Sequence, residues 1–212
     1  MGQQNSRTKL SRPQVSQWQR HLLWLSSAVF VSTLTLPLPV KAETWVGGAG
    51  FWDSVVFWQE GTIPNGVGDV ATFNGVGDWG FSVALNGHRT IGELNLSWLT
   101  PGISSGYIFY TGALTFAAAN GNAAINVANG ARMDFAPTVS IELASNTVFN
   151  TSEADSYVSS SSSITGPGAL IKEGPGTVGL FARNSFTGGT RVEDGNLFAG
   201  AAGLSSTTPP IP

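Results

Sequence analysis

The strongest constraint in this chain is a rhythm. Apolar side chains recur at every second position in short runs, among them Leu94-Leu96, Leu114-Phe116, Ile125-Val127, Met133-Phe135, Val139-Ile141-Leu143 and Val178-Leu180. A period of two sends alternate side chains to opposite faces of an extended segment, so each run predicts a strand with one face inward. Gly-Asn, Asn-Gly, Pro-Gly and Asp-Gly pairs separate the runs and supply the positive φ that tight turns need. Nothing after residue 42 carries the three-to-four spacing of an amphipathic helix. The expectation is an all-β fold, and strands this short at roughly ten-residue spacing suit a sandwich, a barrel or a solenoid alike.

The first 42 residues read differently. Arg7, Lys9, Arg12 and Arg20 precede the apolar run "HLLWLSSAVFVSTLTLPLPV", which closes on Val40-Lys41-Ala42. A basic region, an apolar core and small residues at the first and third places define a helical signal peptide over residues 1–42, with cleavage expected after Ala42. The rival reading is an uncleaved anchor. The Ser and Thr content of the run and its prolines at 37 and 39 weaken it as a spanning helix.

Removing the leader leaves five basic side chains against thirteen acidic ones, a net charge of −8 rather than −3. Such a chain lacks the clustered Lys and Arg that phosphate backbones or anionic membrane surfaces require, so nucleic acid is excluded as a partner. There is no cysteine, which removes disulfides, thiolate metal sites and cysteine nucleophiles together. Stability must then come from packing and backbone hydrogen bonds.

Composition divides the remainder into a Trp/Gly-rich segment at 43–82, regular strands at 83–163, a Gly-rich zone at 164–200 and a linker-like tail at 201–212. In the Gly-rich zone the pattern becomes specific: "ITGPGALIKEGPGTVGLFARNSFTGGTRVEDGNLFAG". Gly166, Gly168, Leu170, Lys172, Gly174, Gly176, Thr177, Val178, Leu180, Asn184, Phe186, Gly188, Gly189, Thr190, Val192, Gly195 and Leu197 follow a spaced Gly/Leu/Lys, Gly-Thr, Asn-Phe and Gly-Gly-Thr order. This order resembles the autotransporter-associated β-strand repeat of bacterial secreted passenger domains. The resemblance implies a right-handed parallel β-helix that grows by stacking coils, with Leu170, Val178, Leu180, Val192 and Leu197 in its interior. Family passengers cross the outer membrane through a C-terminal β-barrel, for which this sequence shows no alternating ten-residue strands. Membrane association is therefore expected only through a barrel that the chain itself does not carry.

Chemically suggestive residues have plainer readings. "GVGDWG" at 75–80 satisfies G-x-G-x-x-G, but no helix follows it to receive a pyrophosphate. The tandem "NGVGDVATF" and "NGVGDWGFS" offers Asp69 and Asp78 to calcium, yet two units with misplaced acids fit exposed turns better. The close acidic pairs Glu153/Asp155 and Glu193/Asp194 fall in turn sequence, as does His88, and no nucleophile elbow accompanies them. No cofactor or metal is expected. Trp45, Trp52, Trp58, Trp79 and Trp98 have two readings: plugs for the open end of a solenoid, or platforms for a glycan.

The combined expectation is a non-catalytic exported β-solenoid, the structural or adhesive passenger region of an autotransporter-like surface or secreted protein. Its partners would be glycans or cell-surface proteins of a host. The alternatives are a polysaccharide lyase or hydrolase on a β-helix, for which Asp53, Asp69, Asp78 and Arg89 would converge in one cleft, and a carbohydrate-binding module presenting Trp79 or Trp98 on a flat face.

Overall fold

The computed structural model describes residues 39–76, 80–100 and 105–200. Residues 1–38 of the expected signal helix, the 201–212 tail, Asp78 and Trp79 lie outside the described residues; the last four residues of that segment are not helical, and Ala42 opens a strand. The chain winds as a parallel β-solenoid of about five turns. In chain order the strands are β1 (Ala42–Trp45), β2 (Gly50–Phe51), β3 (Val70–Gly75), β4 (Phe81–Ala84), β5 (His88–Ile91), β6 (Glu93–Trp98), β7 (Gly106–Tyr110), β8 (Gly112–Phe116) and β9 (Ala123–Ala128). They continue as β10 (Arg132–Phe135), β11 (Val139–Leu143), β12 (Thr147–Thr151), β13 (Tyr157–Ser160), β14 (Ile164–Thr165), β15 (Leu170–Glu173), β16 (Thr177–Leu180), β17 (Thr190–Val192) and β18 (Asn196–Ala199).

Each turn of the solenoid contributes one strand to the first sheet and one to the second, and four turns add a strand to the third. The first sheet runs β1-β3-β6-β9-β12-β15-β17, the second β2-β4-β7-β10-β13-β16-β18, and the third, shorter one β5-β8-β11-β14. Every pairing between these strands is parallel. The sequence rhythm now has its physical cause: an inward residue must sit on an inward residue of the previous coil. Ala71, Leu94, Ile125 and Phe149 form one such interior column, and Tyr107, Met133, Val158 and Val178 another. All eight are buried.

The three compositional zones are one continuous stack. β1 to β4 of the Trp-rich zone already belong to the first and second sheets. The serine run 159–163 does not separate two regions either. Ser160 and Ser162 are buried, and their hydroxyls donate to the carbonyls of Ser162 and Ala136 at 3.1 and 2.6 Å, closing the corner between β13 and β14.

The first coil is plugged by aromatic rings. The segment after β1 folds back, with Val46 N donating to Phe57 O and Gln59 N to Thr44 O. Trp45, Trp52 and Trp58 are at most 2% exposed; Trp58 packs edge-on to the other two, and Phe73 contacts all three. Each indole N–H finds a carbonyl: Gly48 for Trp45, Pro64 for Trp52, Trp52 for Trp58. Large rings cover the open end while their polar edges stay satisfied, which is how Trp is buried at low cost.

Trp98 is also interior, at 1% exposure, and cannot serve as a glycan platform. It pairs in register with Gly75, where a Cβ would stand 2.0 Å from the indole. The first glycine of "GVGDWG" is thus the space that one coil leaves for a tryptophan of the next.

Trp52→Ala should cost about 3–5 kcal/mol, the usual loss for emptying a buried aromatic site. Neighbouring Phe51, 52% exposed, should tolerate Ala within about 0.5 kcal/mol. Urea midpoints of the two variants check the contrast.

Tyr107 provides a second test. Its hydroxyl donates to Gly47 O at 3.1 Å, and burial pushes its pKa from 10.0 up to about 12. Below pH 10 both folded and unfolded states keep the proton. Between 10 and 12 only the unfolded state loses it, so stability should fall across that interval. Tyr107→Phe should remove this part of the alkaline decline in a pH series of urea midpoints.

Candidate functional site

The residues matching the repeat build two successive coils. Leu170, Val178 and Leu180 are fully buried, as the resemblance implies. Val192, by contrast, is 48% exposed and Leu197 only half-buried. Both face inward, Val192 over Lys172 and Leu197 over Val178, but they occupy the last described coil and no further coil of the described residues covers them. Asn184 is buried; its side-chain oxygen accepts from Ile164 N at 2.9 Å and its amide donates to Ala182 O at 3.1 Å. Phe186 packs against the core from the same corner. Gly188 lies where a Cβ would stand 2.3 Å from Ala169 N, and Gly189 takes φ +86° beside it, ahead of Thr190. Gly168 and Gly176 likewise sit close on carbonyls of the coil below, and Thr177 opens β16.

Lys172 is the residue whose role the sequence conceals. It stands in the interior column directly after Phe149 and is fully buried. Its ammonium donates to the carbonyls of Glu173, Gly174 and Asp194 at 2.7, 2.5 and 3.1 Å, tying the turn after β15 to the turn after β17. Burial lowers its pKa, opposed by the charges of Asp194 and Glu173. Gly195, at φ +69°, packs over the same ammonium, where a Cβ would come within 2.8 Å of Nζ. The lysine closes the coil corner and is not offered to a substrate. Lys172→Met keeps the apolar stem but strands three carbonyls, so it should cost about 1–3 kcal/mol in a urea titration.

The acids have structural employment. Asp69, 3% exposed, accepts from the amides of Lys41 and Asn65 at 2.9 and 3.0 Å. Arg89 donates to the carbonyls of Leu85 and Asn86, and Asp53 meets the Asn86 side chain at 3.4 Å. Burial works against ionisation of Glu153, but the hydroxyls of Ser152 and Ser156 and the amide of Asn129 hold its pKa below the ordinary carboxylate value. Asp194 accepts from Gly195 N at 2.7 Å, and Glu193 pairs with Arg191. Among the described residues no group of three or more His, Asp or Glu side chains could hold a metal ion.

One arrangement comes nearer to catalytic geometry. On the outer face of the third sheet, His88 Nε2 lies 2.6 Å from Thr115 Oγ1, which lies 2.9 Å from Glu142 Oε2. The order is His, Thr, Glu, with the hydroxyl in the middle, whereas an activated hydroxyl stands at the end of such a chain. Thr115 is also 7% exposed. The chain ties β5, β8 and β11 together across three coils. A second outward ladder, Asn95, Asn126 and Asn150, crosses the first sheet with amide contacts of 2.8 and 3.5 Å.

The outer face of the second sheet carries a different kind of surface. Its floor is Gly179, outward between the inward Val178 and Leu180. The Tyr157 hydroxyl and the Phe181 ring both converge on the space a Cβ of Gly179 would fill, at 2.7 and 2.8 Å. Phe198 pairs in register with Gly179 from the next coil. Phe181 and Phe198 are 51% and 58% exposed. Arg132 lies 4.8 Å above the Tyr157 ring and bonds Asp134 at 2.8 Å, and Asp134 in turn accepts from Ser159. Hydrogen bonding to Asp134 raises the pKa of Arg132 further, so its charge is permanent. Three rings from three successive coils, with a fixed ion pair beside them, form the candidate binding surface.

Comparison with protein-family models, curated proteins and solved structures finds no match to this chain.

Proposed function

We propose that this chain is an exported, non-catalytic β-solenoid, the structural and adhesive passenger region of an autotransporter-like surface or secreted protein. The observation that carries the reading is the unbroken register from Ala42 to Ala199, in which the repeat-like stretch continues the coils before it. The commitment of buried Lys172 and of Asp69, Arg89 and Glu153 to backbone and turn contacts supports it further. A stack held by backbone hydrogen bonds and apolar columns needs no cysteine, which suits a chain exported without disulfides. Its work is to hold outward faces at a distance from a cell surface.

Export should leave Glu43 as the first residue. Loss of Lys41 would then release Asp69 Oδ1 and the amide of Val70, which donates to Lys41 O. Mass spectrometry of the secreted chain checks the cleavage point, and intact adhesion of that chain to host cells checks the function. Incubation with a polysaccharide panel should yield no shortened or unsaturated products. Degradation abolished by Glu142→Gln or Thr115→Val would overturn the non-catalytic reading in favour of a β-helix lyase or hydrolase.

A further inference from the structure

We infer that the outer face of the second sheet around Gly179 is a binding strip for neutral carbohydrate, with Tyr157, Phe181 and Phe198 as the stacking platform. This names the partner class of the proposed adhesive surface and rests on that reading.

The rings are exposed for a reason that interior packing does not supply. In "GLF" and "NLF" each leucine faces inward while the following phenylalanine faces out. An alternating strand would place a polar residue there, as Asp134 and Ser159 do in the register column that leads to Gly179 and Phe198. Coils added along the axis stack on the coil ends and leave outward faces uncovered, so these rings await a partner rather than more of the same fold. Contiguous exposed apolar surface of this kind marks interaction sites.

The chemistry of the strip selects the partner. Aromatic faces receive the C–H face of a pyranose, and adjacent donors and acceptors bind its hydroxyls. Thr177 and Asn196 continue the outward column of Arg132 and Tyr157, offering a hydroxyl and an amide beside the rings. Charge decides between sugar classes. Arg132 is already neutralised by Asp134, and the remaining side chains of the strip are uncharged, on a chain whose residues after 42 total −8. A neutral strip on an acidic molecule complements a neutral glycan and disfavours a sulfated or uronic one. Gly179 keeps the floor bare; a side chain there would drive the Tyr157 and Phe181 ring ends apart.

The test uses the whole protein and neutral hexasaccharides of glucose, mannose and xylose, with a sulfated hexasaccharide as charged control. Saturation-transfer NMR should report contact through ring C–H protons of at least one neutral probe. Phe181→Ala and Phe198→Ala should each weaken binding about three- to tenfold with an unchanged thermal midpoint, and Phe181→Tyr should retain it. Gly179→Ala gives an independent check, weakening binding with both rings still present. No transfer from any neutral probe, equal affinity in the Phe→Ala variants, or preference for the sulfated probe would overturn the proposal. Adhesion to intact cells is read in parallel. Adhesion retained by the double Phe→Ala chain overturns the strip and leaves the adhesive reading standing. Hexasaccharide binding without adhesion supports the strip and removes the adhesive reading.

Discussion

Parallel, in-register hydrogen bonding between successive coils sets each residue directly over its counterpart one coil earlier. Inward positions must then be filled column by column, since a mismatch strands one coil against the next. Phe109 on Phe135 shows the favourable case, with ring centroids 5.5 Å apart and planes 26° apart. Gly75 beneath Trp98 shows the compensated one, a large ring accommodated by removal of a side chain in the coil before. Backbone ladders alone would not hold such a stack. The columns exclude water from it, and the ladders dictate which residues share a column.

The two ends of the described stack face the same difficulty and meet it differently. At the start, Trp45, Trp52 and Trp58 cover the open interior with rings whose N–H groups are satisfied locally. At the far end Val192 and Leu197 line an interior that no described coil covers. Between them the filling changes from aromatic to aliphatic and polar, with Ser160 in the place of Phe135 and Lys172 in the place of Phe149. A charged group survives there because three backbone carbonyls of two turns surround its ammonium, the pairing that burial of a charge demands.

Outside, the same register turns single side chains into ladders. Asn95-Asn126-Asn150 and His88-Thr115-Glu142 are cross-coil hydrogen-bond chains that stiffen two faces. The second sheet departs from this pattern where Tyr157 and Phe181 meet over Gly179, with Phe198 in register with that glycine on the next coil. The aromatic surface differs from these polar ladders, and a sheet that fixes the backbone beneath its rings lowers the ordering cost of binding.

Alternation of Leu, Val and Ile with polar residues, punctuated by Gly and Asn, was enough by itself to determine strands, corners and an all-β class, because side-chain direction in a strand depends only on local geometry. The Gly-rich stretch 164–200 pointed to stacked coils only through its resemblance to a known repeat. Which columns those strands share was not legible, since register is a relation between residues roughly 20 to 30 positions apart that leaves no local trace. Only the tertiary structure therefore decided that Trp98 is interior, that Val192 lies half-exposed in the last described coil, that Lys172 is a buried clasp, and that Phe181 and Phe198, each the second member of an apolar pair, stand outward on the face that carries Tyr157. The pairs Leu180-Phe181, at the end of β16, and Leu197-Phe198, in β18, were the available signal: adjacent side chains on extended backbone point to opposite faces, so one of each pair turns away from the core.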